Sequence, residues 1–159
     1  MISVKLIAVG NLKEAYLRDA AAEYQKRLGG FCKFTLVELK EEKLSDAPSD
    51  KEIANALSRE AEKILAEMSK RAYKIALCVE GKQMSSEELA EKLDSISATH
   101  SELCLVIGSS HGLDDTVKNT CDYRLSVSKL TFPHQLMRVI LLEAVYRGFN
   151  ILKGTHYHK

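Results

Sequence analysis

No segment of this 159-residue chain approaches the roughly 20 consecutive apolar residues of a membrane span. The opening Met1-Ile2-Ser3-Val4-Lys5 has no basic stretch ahead of a long apolar run, so a cytosolic protein is expected. The four cysteines, Cys32, Cys78, Cys104 and Cys121, form no C-x-x-C pair. That removes the common zinc and dithiol arrangements and leaves free, mostly buried thiols as the expectation. The G-x-G-x-x-G fingerprint is missing after the first apolar strand, where Gly10 stands alone in Val9-Gly10-Asn11-Leu12. A Rossmann dehydrogenase or a Gly-rich methyltransferase therefore lacks its phosphate or cofactor turn. There is also no Walker A lysine motif and no G-x-S-x-G elbow, which excludes the usual nucleotide hydrolases and serine esterases. Repeats, low-complexity tracts and linker-like stretches are absent, so one domain over 1–159 is expected.

What is present is a globular composition, 45% hydrophobic and 28% charged. The formal net charge is only +1, but it is unevenly spread. From residue 129 onward, Lys129, Arg138, Arg147, Lys153 and Lys159 face the single anion Glu143, net +4, so residues 1–128 sum to −3. A basic end on an acidic body suggests a local anionic partner, although a solvated helix and tail would give the same count.

Strand and helix patterns alternate along the chain. Ile2 to Val9 reads as a strand. A helix follows from about Glu14 to Leu28, with Leu17, Ala21, Tyr24 and Leu28 on one face and Gly29-Gly30 as its stop. Cys32 to Leu39 is a second strand, and the polar run from Lys40 to Pro48 is a flexible loop. Ser49 with Glu52, and later Ser85 with Glu88, form capping boxes that open two further helices. Tyr73 to Val79 is an almost wholly apolar third strand, as suits a sheet covered on both faces, and Glu80-Gly81-Lys82 turns the chain. Leu103 to Ile107 is the fourth strand; a short helix from about Leu113 to Asn119 and a fifth strand from about Tyr123 to Val127 complete the alternation. An α/β fold with a mainly parallel sheet and helices on both faces is predicted. The last helix runs from Pro133 to about Gly148 and is apolar nearly all round, which predicts burial on more than one side, most simply against a second subunit.

Parallel sheets place ligands beyond the carboxyl ends of their strands. After strand four, Gly108 and Gly112 bracket a small polar loop, Gly108-Ser109-Ser110-His111-Gly112. It suits close approach of main chain to a ligand, and equally a tight turn. After strand five, a hydroxyl-rich segment leads into a helix start with no strong N-cap at Phe132, leaving amide donors open to a ligand unless Thr131 or water takes them.

Together with Tyr157-His158-Lys159, the runs Leu105-Val106-Ile107-Gly108-Ser109-Ser110-His111-Gly112 and Leu125-Ser126-Val127-Ser128-Lys129-Leu130-Thr131-Phe132-Pro133-His134-Gln135-Leu136-Met137-Arg138 resemble the ribosomal RNA large subunit methyltransferase H family. The opening Val4 to Lys13 fits as well, so the resemblance spans the chain. It implies a homodimeric SPOUT fold with a C-terminal trefoil knot, which pattern reading alone would not suggest. It also implies methyl transfer from S-adenosyl-L-methionine to N3 of a pseudouridine in 23S rRNA, in the large subunit or assembled ribosome. By the same resemblance, the cofactor contacts are Leu77, Gly108, Val127, Ser128, Lys129, Leu130, Thr131 and Phe132. The family usually carries a second glycine where this chain has Ser109, so a changed backbone angle or crowding of the cofactor is expected there.

N-methylation requires removal of an imide proton and alignment of the nitrogen, with no metal. His158, His134 and the Tyr157 phenol are the candidates for proton acceptance or orientation, and Arg138 for holding a phosphate or developing negative charge. His156 and His158 lack a third metal ligand. Two alternatives stay open: a ribosome-binding module that has lost activity, and an enzyme of the same fold acting on another RNA or a non-RNA substrate.

Overall fold

The computed structural model describes residues 1–159. Its strands are β1 (Ser3–Val9), β2 (Lys33–Leu39), β3 (Tyr73–Lys82), β4 (Glu102–Ile107) and β5 (Tyr123–Leu125). Its helices are α1 (Ala15–Leu28), α2 (Asp50–Glu67), α3 (Ser86–Thr99), α4 (Asp115–Thr120) and α5 (His134–Leu152). The strands form one sheet in the order β2-β1-β4-β3-β5, with every pairing parallel. Helices α1, α3 and α5 bury their apolar faces on one side of it, through residues such as Leu17, Leu93 and Leu141. Helices α2 and α4 cover the other side through Ala61, Ile64 and Val117. The alternation in β1 follows from the pleat: Val4 and Leu6 enter the first core, Ile7 and Val9 the second. The steps β1 to β2 and β3 to β4 run one way along the sheet and use the first face. The steps β2 to β3 and β4 to β5 run the other way and use the second, as a single hand of crossover requires.

Several local expectations change. The Ser85–Glu88 capping box is complete, but at α2 only half of the box forms: Ser49 accepts the Glu52 amide while the Glu52 carboxylate accepts side-chain hydroxyls instead of the Ser49 amide. The segment 40–48 has no helix or strand, yet it is tied down. The Glu42 amide donates to Glu60, and the Glu42 carboxylate pairs with Lys63 and Arg59. Gly29 closes α1 in an ordinary right-handed conformation. Helix α5 continues past Gly148, which is there because a side chain would strike Leu93 of α3; the chain turns off at Gly154, with φ +65°. A helix that carries its packing glycine in the interior looks from sequence like a helix that ends there.

Two irregularities sit at the carboxyl edge of the sheet. Strand β3 extends to Lys82 with an irregularity between Leu77 and Lys82, and Leu125 pairs with both of those residues. Gly81 therefore crosses the β5 backbone so closely that a Cβ would lie 2.7 Å from the Arg124 carbonyl oxygen. Strand β5 stops at Leu125, two residues short of expectation: the Ser126 amide makes the final bond of the ladder, to the Lys82 carbonyl, and the Ser126 hydroxyl then donates to Ser128 O as the chain turns away.

Candidate cofactor site

Three chain segments meet at that edge: the bend after Leu77, the loop after β4 and the linker from β5 into α5. They enclose a cavity of about 780 Å³, within the range of small-molecule sites. Its walls are mainly apolar, with Leu77, Ile107, Leu113, Leu125 and Met137 contributing, and Val79 and Leu130 stand at 70% and 71% exposure. Seven of the eight residues expected to meet a cofactor line it; Lys129 alone does not.

The loop after β4 is a tight turn in which the Gly112 amide donates to Ser109 O at 2.9 Å, with Gly112 at φ +90°. At Gly108 a Cβ would collide with the Gly112 carbonyl and with Leu113. The glycine is thus required by the loop itself, which agrees with the tight-turn reading of the glycine pair. Around Gly112 the space is open. Ser109, by contrast, is buried and no residue other than glycine has positive φ, so the serine needs no unusual backbone angle. It lines the cavity and lies near enough to Glu60 of α2 to influence that carboxyl. Burial raises the Glu60 carboxyl above the ordinary range, an effect that hydrogen bonds from the Glu42 amide and Ser109 only partly offset.

On the opposite wall, the linker is braced by the Leu130 amide donating to the Ser128 hydroxyl at 3.0 Å. No side chain caps the first turn of α5, whose N-cap is Pro133, so the expected open amide donors are present there. Main-chain groups, apolar walls and an uncapped helix start suit an adenosyl ligand, which is flat, largely apolar and rich in hydrogen-bonding edges.

The other candidate residues divide. His134 lines the cavity. Arg138 does not: it is 2% exposed, pairs with Glu38 of β2 and donates through Nη2 to Gly10 O at 3.0 Å. It is a buried tie between α5 and the sheet, and in this chain it reaches neither the cavity nor solvent phosphate. The tail also lies elsewhere. The Tyr157 phenol donates to Glu143 at 3.1 Å, and its ring packs edge-on against Tyr146. Burial, then the Glu143 carboxylate, pushes this phenol up to about 12, so it is a poor proton acceptor. Arg147, which can only donate, contacts His158 Nδ1 at 3.2 Å, so Nε2 carries the proton toward Glu87 at 2.8 Å. Arg147 lies ten residues along α5 from the cavity-lining Met137, about 15 Å at the helical rise. His158 and Tyr157 therefore do not join His134 within one chain.

Sequence reading missed Cys78, Glu80 and Lys118, which also line the cavity. Burial raises the Cys78 thiol, which argues against a nucleophile. The pairing of Glu80 with Lys118 spans 38 positions, and no local pattern announces it.

Comparison with known proteins agrees with this geometry. The family model described as "Predicted SPOUT methyltransferase" matches residues 2–158. The protein from Streptococcus equi subsp. zooepidemicus named ribosomal RNA large subunit methyltransferase H is 46% identical over 159 residues, covering 99% of this chain and all of its own. Its namesake from Bifidobacterium adolescentis is 48% identical at the same coverage. Among solved structures, "a probable methylase family protein from Haemophilus influenzae Rd KW20" superposes with a TM-score of 0.54 at 17% identity, covering 99% of this chain and 70% of that one, a likeness of fold. By its sequence over nearly its whole length, the chain belongs to the SPOUT methyltransferases, and among them to the ribosomal RNA large subunit methyltransferase H family.

Proposed function

We propose that the chain transfers a methyl group from S-adenosyl-L-methionine to N3 of a pseudouridine in 23S rRNA of the large subunit or assembled ribosome. The observation that carries the reading is the cavity: seven residues singled out by family resemblance converge on it from three separate segments. When bound, the cofactor supplies an electrophilic methyl group. Leu77, Gly108 and the linker from Val127 to Phe132 would hold its adenosyl part through main chain and apolar walls. Lys129, outside the cavity, is left for RNA or the partner subunit. His134, which lines the cavity as His111 also does, is our candidate in this chain to orient the target base or take its proton.

The homodimer belongs to the same reading. Much of the apolar surface of α5 is buried within its own chain, through Leu141, Leu142, Val145 and Phe149. Leu136 stays exposed and Ile140 half-buried, close in sequence to the cavity-lining Met137. In this reading a second copy covers them, and its tail, with Tyr157 and His158, is our candidate to complete a cavity that the chain's own tail does not reach. The C-terminal trefoil knot belongs to the same reading and rests on the family resemblance.

Isothermal calorimetry with S-adenosyl-L-methionine and S-adenosylhomocysteine tests the cofactor assignment. Saturable binding of both, at one class of site, is expected. Absence of binding would favour the alternative of a ribosome-binding module without activity.

A further inference from the structure

The cavity wall contains one cation and one anion of permanent charge. Among the lining residues, Lys118 of α4 and Glu80 of the bend after Leu77 are the only lysine, arginine, aspartate or glutamate. They form a hydrogen-bonded ion pair. The Lys118 side chain is 16% exposed, while Glu80 is 51% exposed and open to a further partner. The Lys118 hydrogen bond holds the Glu80 carboxyl below the ordinary range, which favours its carboxylate form.

We propose that the Glu80–Lys118 pair is the subsite for the amino-acid end of the cofactor, Lys118 meeting its α-carboxylate and Glu80 its α-ammonium. This rests on the cofactor reading above and adds residues to it. A lysine ammonium has three donors and Glu80 occupies one, leaving two for a carboxylate. The Glu80 carboxylate likewise keeps acceptor capacity for an ammonium. A zwitterion added to the pair completes an alternating ring of charges in which none is left unpaired, the arrangement that a partly dry wall requires. A phosphate would meet a lysine already neutralised by Glu80 and would be repelled by that carboxylate, so the pair selects an amino acid over a nucleotide phosphate. The remaining wall, apolar and built from main chain, is left for the adenosyl part.

The test compares two ligands that differ only at this end. S-adenosylhomocysteine carries the amino-acid group; 5′-methylthioadenosine keeps the adenosine and thioether without it. Calorimetry on the full-length protein should show Lys118→Met losing about tenfold or more in affinity for S-adenosylhomocysteine while 5′-methylthioadenosine stays within about twofold. Lys118→Arg should recover most of the loss, because a cation is restored. Glu80→Gln, nearly the same shape, provides an independent variant should Lys118→Met fold poorly, and it should show the same selective loss. Equal weakening of both ligands, as when Glu80 reads the ribose hydroxyls, overturns the proposal, and so does unchanged affinity for both in folded variants. Failure of the unaltered protein to bind either ligand overturns the cofactor reading and this subsite together.

Discussion

Single positions in the cofactor loop act through backbone geometry and buried charge. At Gly108 the Cβ of any other residue meets the Gly112 carbonyl, so even Gly108→Ala must open the turn. Loss of cofactor binding is expected together with a destabilisation of about 1–3 kcal/mol, read by calorimetry and chemical denaturation of the same sample. A variant that bound normally with unchanged stability would mean that the loop relaxes freely. Glu60 makes a pH-dependent prediction. Its folded pKa is raised, chiefly by burial, so its contribution to stability is full below the ordinary glutamate range and is lost as pH rises through the raised value. Glu60→Gln removes that penalty and keeps an acceptor for the Glu42 amide. Thermal melts should therefore show the variant at least as stable as the parent at pH 7, with its relative advantage shrinking toward acid pH. An advantage that grows on acidification would contradict the sign. A tight turn between Gly108 and Gly112 was legible in the sequence, but not the contact that fixes the glycine, because the close approach of Gly112 O to position 108 depends on the folded turn. Ser109 was legible as a departure from the family, and its burial beside Glu60 of a distant helix was not.

At the scale of elements, α5 shows what a hydrophobic pattern says and what it leaves out. An apolar circumference correctly implies cover on several sides, and α1, α3 and the sheet supply most of that cover in the same chain. Arg138, in the middle of that surface, reads from sequence as a functional cation; the structure makes it a strut to Glu38 and Gly10. Its Nε has no partner, and Glu38 is its one ion-pair partner. Glu38→Ala would leave a buried guanidinium without a counter-charge and should cost about 3–5 kcal/mol, measured by urea unfolding. A cost under about 1 kcal/mol would show that the pair behaves like an exposed one. Strand β5 was overestimated: Ser126 and Val127 look like strand in composition, but the ladder to β3 ends with the Ser126 amide on the Lys82 carbonyl, and the Ser126 hydroxyl then donates to Ser128 O. A serine hydroxyl bonding to nearby backbone offers the chain an alternative to the ladder.

Over the whole molecule, the parallel sheet, its two helical layers and the convergence of three loops at its carboxyl edge follow from alternation of strand and helix, which is why they could be read directly. The strand order and the location of the tail depend on long-range packing and could not. The tail occupies a defined place, with His158 between Arg147 and Glu87 and Tyr157 against Glu143 and Tyr146. If it also serves a partner's cavity, removal of Tyr157 to Lys159 should leave cofactor affinity within a few fold and lower methylation of ribosomes by about a hundredfold, the scale of lost positioning or acid–base assistance. Full activity after that deletion would remove the tail from the mechanism, and collapse of cofactor affinity would place it in the binding site or the dimer contact. The central claim, transfer of a methyl group to a ribosomal pseudouridine, is tested most directly by mass spectrometry of 23S rRNA fragments from cells with and without this chain. One pseudouridine-containing fragment should carry an additional methyl group at N3 only when the chain is present, and identical fragment masses in the two cell lines would contradict the account.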